Sequence, residues 1–191
     1  LLIGRHPVSR AISYFYERHF HPKTNPRMLN EYSAEELISL GTTMRGGEIG
    51  EDNATIYIID EGIEDAYCRV LSNQRATTGL KMGGPVQLPE RLDRDAYSVA
   101  EATMSQCVVG ILEHWNDSKQ IIQHWFPWIS FSRDSNRRKM KLYSGMENLS
   151  NIKPALRKVL EDLNSCDMKL HETMLARFRK EKETILSKAF L

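Results

Sequence analysis

The chain has 191 residues, with 26 Lys+Arg against 25 Asp+Glu for a net charge of +1, and 41% of its residues are hydrophobic. That length carries one domain with a real core, and the composition excludes a disordered or collagen-like chain. The even charge balance supplies no general field for nucleic acid, so an anionic ligand has to be met by a local cluster. No apolar run approaches a membrane-spanning helix, and Leu1 opens no signal-peptide pattern.

The first seventeen residues organise the rest. Leu1 to Gly4 is a short apolar run that reads as the end of a buried strand. It delivers Arg5 to a turn, and Pro7 suits the first turn of a helix, where its missing N–H is not needed. Val8, Ala11, Ile12 and Phe15 then fall at i, i+3, i+4 and i+7, the stripe of a helix packed on a sheet. Ser9, Ser13 and Glu17 lie off the stripe in one row at i+4 steps. Ser13 stands about 9 Å along the axis from Pro7 at 1.5 Å per residue. An arginine at a strand end and a hydroxyl two turns into the next helix are chemistry for one phosphate: the guanidinium fork takes two oxygens, the hydroxyl donates to a third, and the helix start adds positive potential. A mid-helix serine can equally bond back to the preceding turn, and spacing leaves both readings open.

The string Arg5-x-Pro7-x-x-Arg10-x-x-Ser13-x-Tyr-x-Tyr resembles the 3′-phosphate motif of sulfotransferases that use 3′-phosphoadenosine-5′-phosphosulfate (PAPS). The likeness is to the Golgi carbohydrate type, including enzymes of the heparan sulfate 2-O-sulfotransferase kind. It implies that Arg5 and Ser13 grip the 3′-phosphate of the nucleotide. It also implies an α/β, P-loop-like fold with a parallel sheet flanked by helices. The chain begins without Met inside a strand pattern and is expected to continue upstream of Leu1. By the resemblance, that upstream part holds the 5′-phosphosulfate loop with its catalytic lysine, and the general base. No catalytic residue is therefore assigned within the chain, and the fragment alone is expected to be inactive.

Between about 20 and 90 the pattern loosens. Phe20 to Asn30 reads as a loop, with His19 and His21 as solvated loop histidines rather than ligands. Ser33-Ala-Glu-Glu36 is a helix start with acidic residues in its first turn, followed by Leu37, Ile38 and Leu40. Gly41 to Asn53 reads as an exposed excursion, and Gly46-Gly47 lacks the Gly-Lys-Ser/Thr of a phosphate loop. Ile63 to Leu71 is a short amphipathic segment; Asn73-Gln74-Arg75 after it partly resembles the family's Asn-x-Gln-Thr-Arg, and equally fits a polar helix end. In the family such insertions shape the acceptor site.

A second strand–helix unit spans 107–128. A helix over Asp93 to Gln106, with Ala96, Val99, Ala100 and Thr103 on one side, leads into Cys107-Val-Val-Gly-Ile-Leu112, a buried parallel strand. The helix that follows carries Ile121, Ile122, Trp125 and Phe126. Val109-Gly-Ile-Leu-Glu113 through Phe126-Pro127 resembles the family's Val-Gly-x-x-Glu strand and helix. Residues 132–141 form a basic loop without helical periodicity. Such a run is ordinarily solvated surface charge, but in the family a basic loop here closes on the 3′-phosphate, which assigns Arg137, Arg138 and Lys139 to the nucleotide. C-terminal helices fill 152–188: Pro154, Leu156, Val159, Leu160 and Leu163 form one stripe, and His171 in the next is a helix-face residue, not a catalyst.

Cys68, Cys107 and Cys166 allow one disulfide and a remaining thiol, or three buried thiols. Asn53-Ala-Thr55, Asn116-Asp-Ser118 and Asn148-Leu-Ser150 are N-glycosylation sequons and lean towards a secretory compartment. The expected function is transfer of a sulfuryl group from PAPS to a hydroxyl, on a glycan by resemblance, without a metal or nucleic acid. The expected place is the Golgi lumen, reached through an N-terminal membrane anchor outside this sequence. Two rivals remain: a catalytically silent sulfotransferase-like binding protein, and a P-loop nucleotide kinase.

Overall fold

A computed structural model describes residues 1–16, 26–43, 64–72, 92–131 and 148–188. The described part is mixed α/β and mostly helical. Strand β1 (Leu2–Gly4) lies parallel to β2 (Val109–Ile111), with Leu2 opposite Val109, Ile3 opposite Gly110 and Gly4 opposite Ile111. Parallel pairing of strands so distant in sequence needs a crossover, and helices supply it. Gly110 sits at a close approach: a Cβ there would meet Ile3 Cδ1 at 2.8 Å and Ser118 Cβ at 3.3 Å, so the Ile3 side chain would have to move.

Helix α1 (Pro7–Tyr14) starts on Pro7 as expected. Its stripe of Val8, Ala11, Ile12 and Phe15 is buried. Helix α2 (Ala34–Thr43) is opened by a reciprocal cap: Ser33 Oγ accepts the Glu36 N–H at 3.2 Å, and Glu36 Oε2 accepts the Ser33 N–H at 2.7 Å. The remaining helices are α3 (Ala66–Leu71), α4 (Ala96–Ser105), α5 (Trp115–Trp125), α6 (Pro154–Leu163) and α7 (Ser165–Lys188). One core joins α1, α2 and α6 through Ile12, Leu37, Leu156 and Leu160; a second gathers β2, α4, α5 and α7 around Val109, Ile111, Met104, Ile121 and Leu170. Helix α7 touches both α1 and β2 and so fixes the strand–helix opening against the rest.

Several expectations change in detail. Phe20 to Asn30 is not loop throughout: Leu29–Glu31 is a 3-10 turn that buries Leu29 fully. Gly41 to Thr43, expected to open the excursion, belong instead to α2, and the rest of Gly41 to Asn53 lies outside the described residues. On α4 the buried row is Ala96, Ala100 and Met104, while Val99 and Thr103 are exposed; the i+4 row, not the i+3 one, packs inward against α3 and α7. The apolar run of the second strand overshoots, since Leu112 is exposed and opens a 3-10 turn. Trp125 is likewise exposed, so only Ile121 and Ile122 carry the α5 stripe inward.

Candidate functional site

Arg5 leaves the carboxyl end of β1, the edge where open parallel sheets bind ligands. Its backbone N–H donates to the Tyr67 hydroxyl at 3.0 Å. The next N–H, on His6, donates to Glu113 Oε1 at 2.9 Å. Glu113 follows β2, so a carboxylate from one strand end ties the amide at the other. Ser13 lies two turns along α1 on its half-buried side, next to the buried stripe. Neither the Arg5 guanidinium nor the Ser13 hydroxyl makes a hydrogen bond or ion pair with a described residue.

Arg10, the other arginine of the string, is engaged within the protein. Its Nη2 donates to Asn164 Oδ1 at 2.9 Å, lies 3.8 Å from Asp167 Oδ2, and its guanidinium sits over the Tyr67 ring at 5.8 Å. It enters a buried polar knot that joins α1, α3, α6 and α7. Asp167, fully buried, accepts the Tyr67 N–H at 2.9 Å and the Cys68 N–H at 2.7 Å, and so caps α3. In return Asp65 Oδ1 accepts the Asp167 N–H at 3.0 Å, in the first turn of α7. Asp65 holds a left-handed φ of 38°, a conformation that aspartate tolerates better than most residues. Its N–H is held by Asn164 Oδ1 at 3.1 Å. Beside the knot, Cys68 and Cys166 form a disulfide, and Cys107 is a free thiol.

Burial sets the charges here. It pushes the Asp65 carboxyl up to about 7, assisted by the nearby Asp167 and Glu64 and opposed by the Asp167 N–H and Arg69. Burial also raises Asp167, against the pull of Arg10 and the two α3 amides. The Tyr67 phenol is raised by burial and lowered by Arg10 and the Arg5 N–H. His6 and His171 meet edge-on with centroids 5.5 Å apart, and burial lowers both. Glu113 opposes that lowering at each ring, and each ring keeps one buried nitrogen, Nδ1 of His6 and Nε2 of His171, without a partner among the described residues. His171 is thus a helix-face residue whose face packs on the opening motif.

Arg5 and Ser13 therefore stand on one strand–helix unit, their polar heads bonded to no described residue. Arg137, Arg138 and Lys139, with the rest of the basic loop, lie outside the described residues, as do His19, His21, Glu17 and Asn73-Gln74-Arg75. Sequence reasoning missed Tyr67, and it marked Glu113 and Asp167 only as parts of the resemblance, not as the groups that hold the motif in place. Asp167 beside Cys166 at the start of a helix pattern was the one available signal, since an early-turn acid often caps. Among the described residues no group of three or more potential ligands is placed to hold a metal ion. No described helix is long and apolar enough to cross a membrane. No family model, curated protein or solved structure matches this chain.

Proposed function

We propose that the chain is the 3′-phosphate-binding portion of a PAPS-dependent sulfotransferase, with a P-loop-like sulfotransferase fold completed upstream. The observation that carries the reading is the uncommitted Arg5 guanidinium at the carboxyl end of β1, with the uncommitted Ser13 hydroxyl two turns into α1. Nearby, Arg10 Nη2 and the backbone N–H groups of Arg5 and His6 are taken by partners within the protein, so the Arg5 guanidinium stands apart from the arginine that serves the packing. The parallel pairing of β1 with Val109-Gly-Ile supports the same reading, as the motif and the second strand–helix unit adjoin.

In such a reaction the acceptor hydroxyl attacks sulfur, the bond from sulfur to the 5′-phosphate oxygen breaks, and adenosine 3′,5′-bisphosphate leaves. Arg5 and Ser13 fix the far end of the donor, and the basic residues Arg137, Arg138 and Lys139 close on it. Binding energy at that remote phosphate serves to align the reacting sulfur. The lysine and base that act on the transferred group belong to the upstream segment. The acceptor is a hydroxyl, on a glycan by resemblance. The Cys68–Cys166 disulfide supports work in an oxidising lumen such as the Golgi.

The test is a titration of the chain, extended upstream to its natural start, with adenosine 3′,5′-bisphosphate, AMP and magnesium ATP. Tight binding of the bisphosphate alone is the expected result. Preference for magnesium ATP would favour a kinase and end the proposal.

A further inference from the structure

The fold separates two sequons that the sequence leaves equal. In Asn116-Asp-Ser118 the serine is fully buried. Its Oγ accepts the Ile111 N–H at 2.8 Å and lies 2.8 Å from the Ile111 carbonyl oxygen and 3.0 Å from that of His114. Folding of β2 onto α5 thus withdraws the hydroxyl that makes the sequon readable, although Asn116 itself stays exposed.

Asn148-Leu-Ser150 is built the other way. Asn148 and Ser150 are both exposed, in the turn that precedes α6. Asn148 Oδ1 accepts the Ser150 N–H at 2.8 Å and the Ser150 hydroxyl at 2.6 Å. The Asn148 backbone N–H is held by Asn151 Oδ1 at 2.5 Å, which steadies the turn. The carboxamide oxygen is therefore pinned by the sequon's own hydroxyl, while Nδ2 bonds to no described residue. The Cys68–Cys166 disulfide is a second, separate sign, because such bonds persist in secretory compartments, where N-glycosylation occurs.

We propose that Asn148 carries an N-linked glycan and that Asn116 does not. The donor is an oligosaccharide on a lipid pyrophosphate. Nδ2 forms a bond to its anomeric carbon, the bond from that carbon to the pyrophosphate oxygen breaks, and the lipid pyrophosphate leaves with the electron pair. One amide proton is lost to a base, and nothing is oxidised or reduced. The inference does not depend on the nucleotide reading.

The full chain, directed into the secretory pathway of a eukaryotic cell, is purified from the medium and digested, with and without peptide N-glycosidase. Peptide mass mapping then reads positions 116 and 148 and the Cys68–Cys166 pairing in the same digest. Enzyme-dependent conversion of the Asn148 carboxamide to a carboxylate, with position 116 unchanged, is expected. Asn148→Gln and Ser150→Ala should abolish the modification, and Ser150→Thr should keep it. An unmodified Asn148 in secreted, disulfide-bonded protein overturns the proposal, and a glycan at Asn116 overturns the discrimination drawn from Ser118.

Discussion

Asp65 and Asp167, 102 residues apart, cap each other's helices: Asp65 Oδ1 takes the Asp167 N–H at the start of α7, and the Asp167 carboxylate takes two amides at the start of α3. Each carboxylate meets the positive end of the other's helix. The disulfide Cys68–Cys166 joins a residue capped by Asp167 to the one that precedes Asp167. The same knot holds Tyr67, whose hydroxyl receives the Arg5 N–H. Stability of the helix junction and placement of Arg5 are therefore one structural problem.

The first prediction concerns pH. The Asp65 carboxyl has a folded value of about 7 against an ordinary 3.8, with burial the main cause. A raised carboxyl binds its proton more tightly in the folded state, so its contribution is fully present below about pH 4 and is lost as pH rises through about 7. Urea unfolding should give a free energy that falls between pH 5 and 8 by on the order of 1–3 kcal/mol. Asp65→Asn, which keeps the acceptor oxygen without the titration, should flatten that slope. An equal slope in the variant would place the titration elsewhere.

The disulfide closes a loop with a sequence separation of 98, from a fully buried Cys68. Paired Cys68→Ser and Cys166→Ser substitutions should cost about 2–4 kcal/mol in denaturant unfolding. Reduction of the native protein should shift its unfolding midpoint in the same direction and leave the serine variant unmoved.

Tyr67 is a positioning residue in this account. Tyr67→Phe keeps the ring under Arg10 but removes the acceptor of the Arg5 N–H, leaving that amide unpaired at a cost of about 1–3 kcal/mol. Affinity for adenosine 3′,5′-bisphosphate should fall, and affinity for AMP should hold. Equal losses for both ligands would assign Tyr67 a structural role only.

Much of this architecture was legible in the sequence, and the reason is local physics. Pro7 with the i, i+3, i+4 stripe of α1 announced itself, as did the Ser33–Glu36 capping box and the apolar run of β2, because each signal is confined to one element. The knot was not legible. Asp65, Asn164 and Asp167 look like helix-end residues in isolation, and their meaning comes only from contacts between segments about a hundred positions apart. Val99 misled because the periodicity permits two adjacent rows, and packing against α3 and α7 chose between them. Of the candidate site, Arg5 and Ser13 could be singled out by type and spacing. Tyr67 could not be, and Glu113 was marked only by the Val-Gly-x-x-Glu string; their hold on the Arg5 and His6 amides leaves no local pattern, since each serves a distant backbone N–H.

The central claim is that Arg5 and Ser13 hold one phosphate, and a double-mutant cycle tests it most directly. Arg5→Ala, Ser13→Ala and the double variant, in the upstream-extended chain, are titrated with adenosine 3′,5′-bisphosphate and with AMP. The account predicts that Arg5→Ala alone costs about 1.5–3 kcal/mol with the bisphosphate. It also predicts that the two substitutions couple by about 0.5 kcal/mol or more with that ligand and by nothing with AMP. Additive losses with the bisphosphate, or the same losses with AMP, would contradict it.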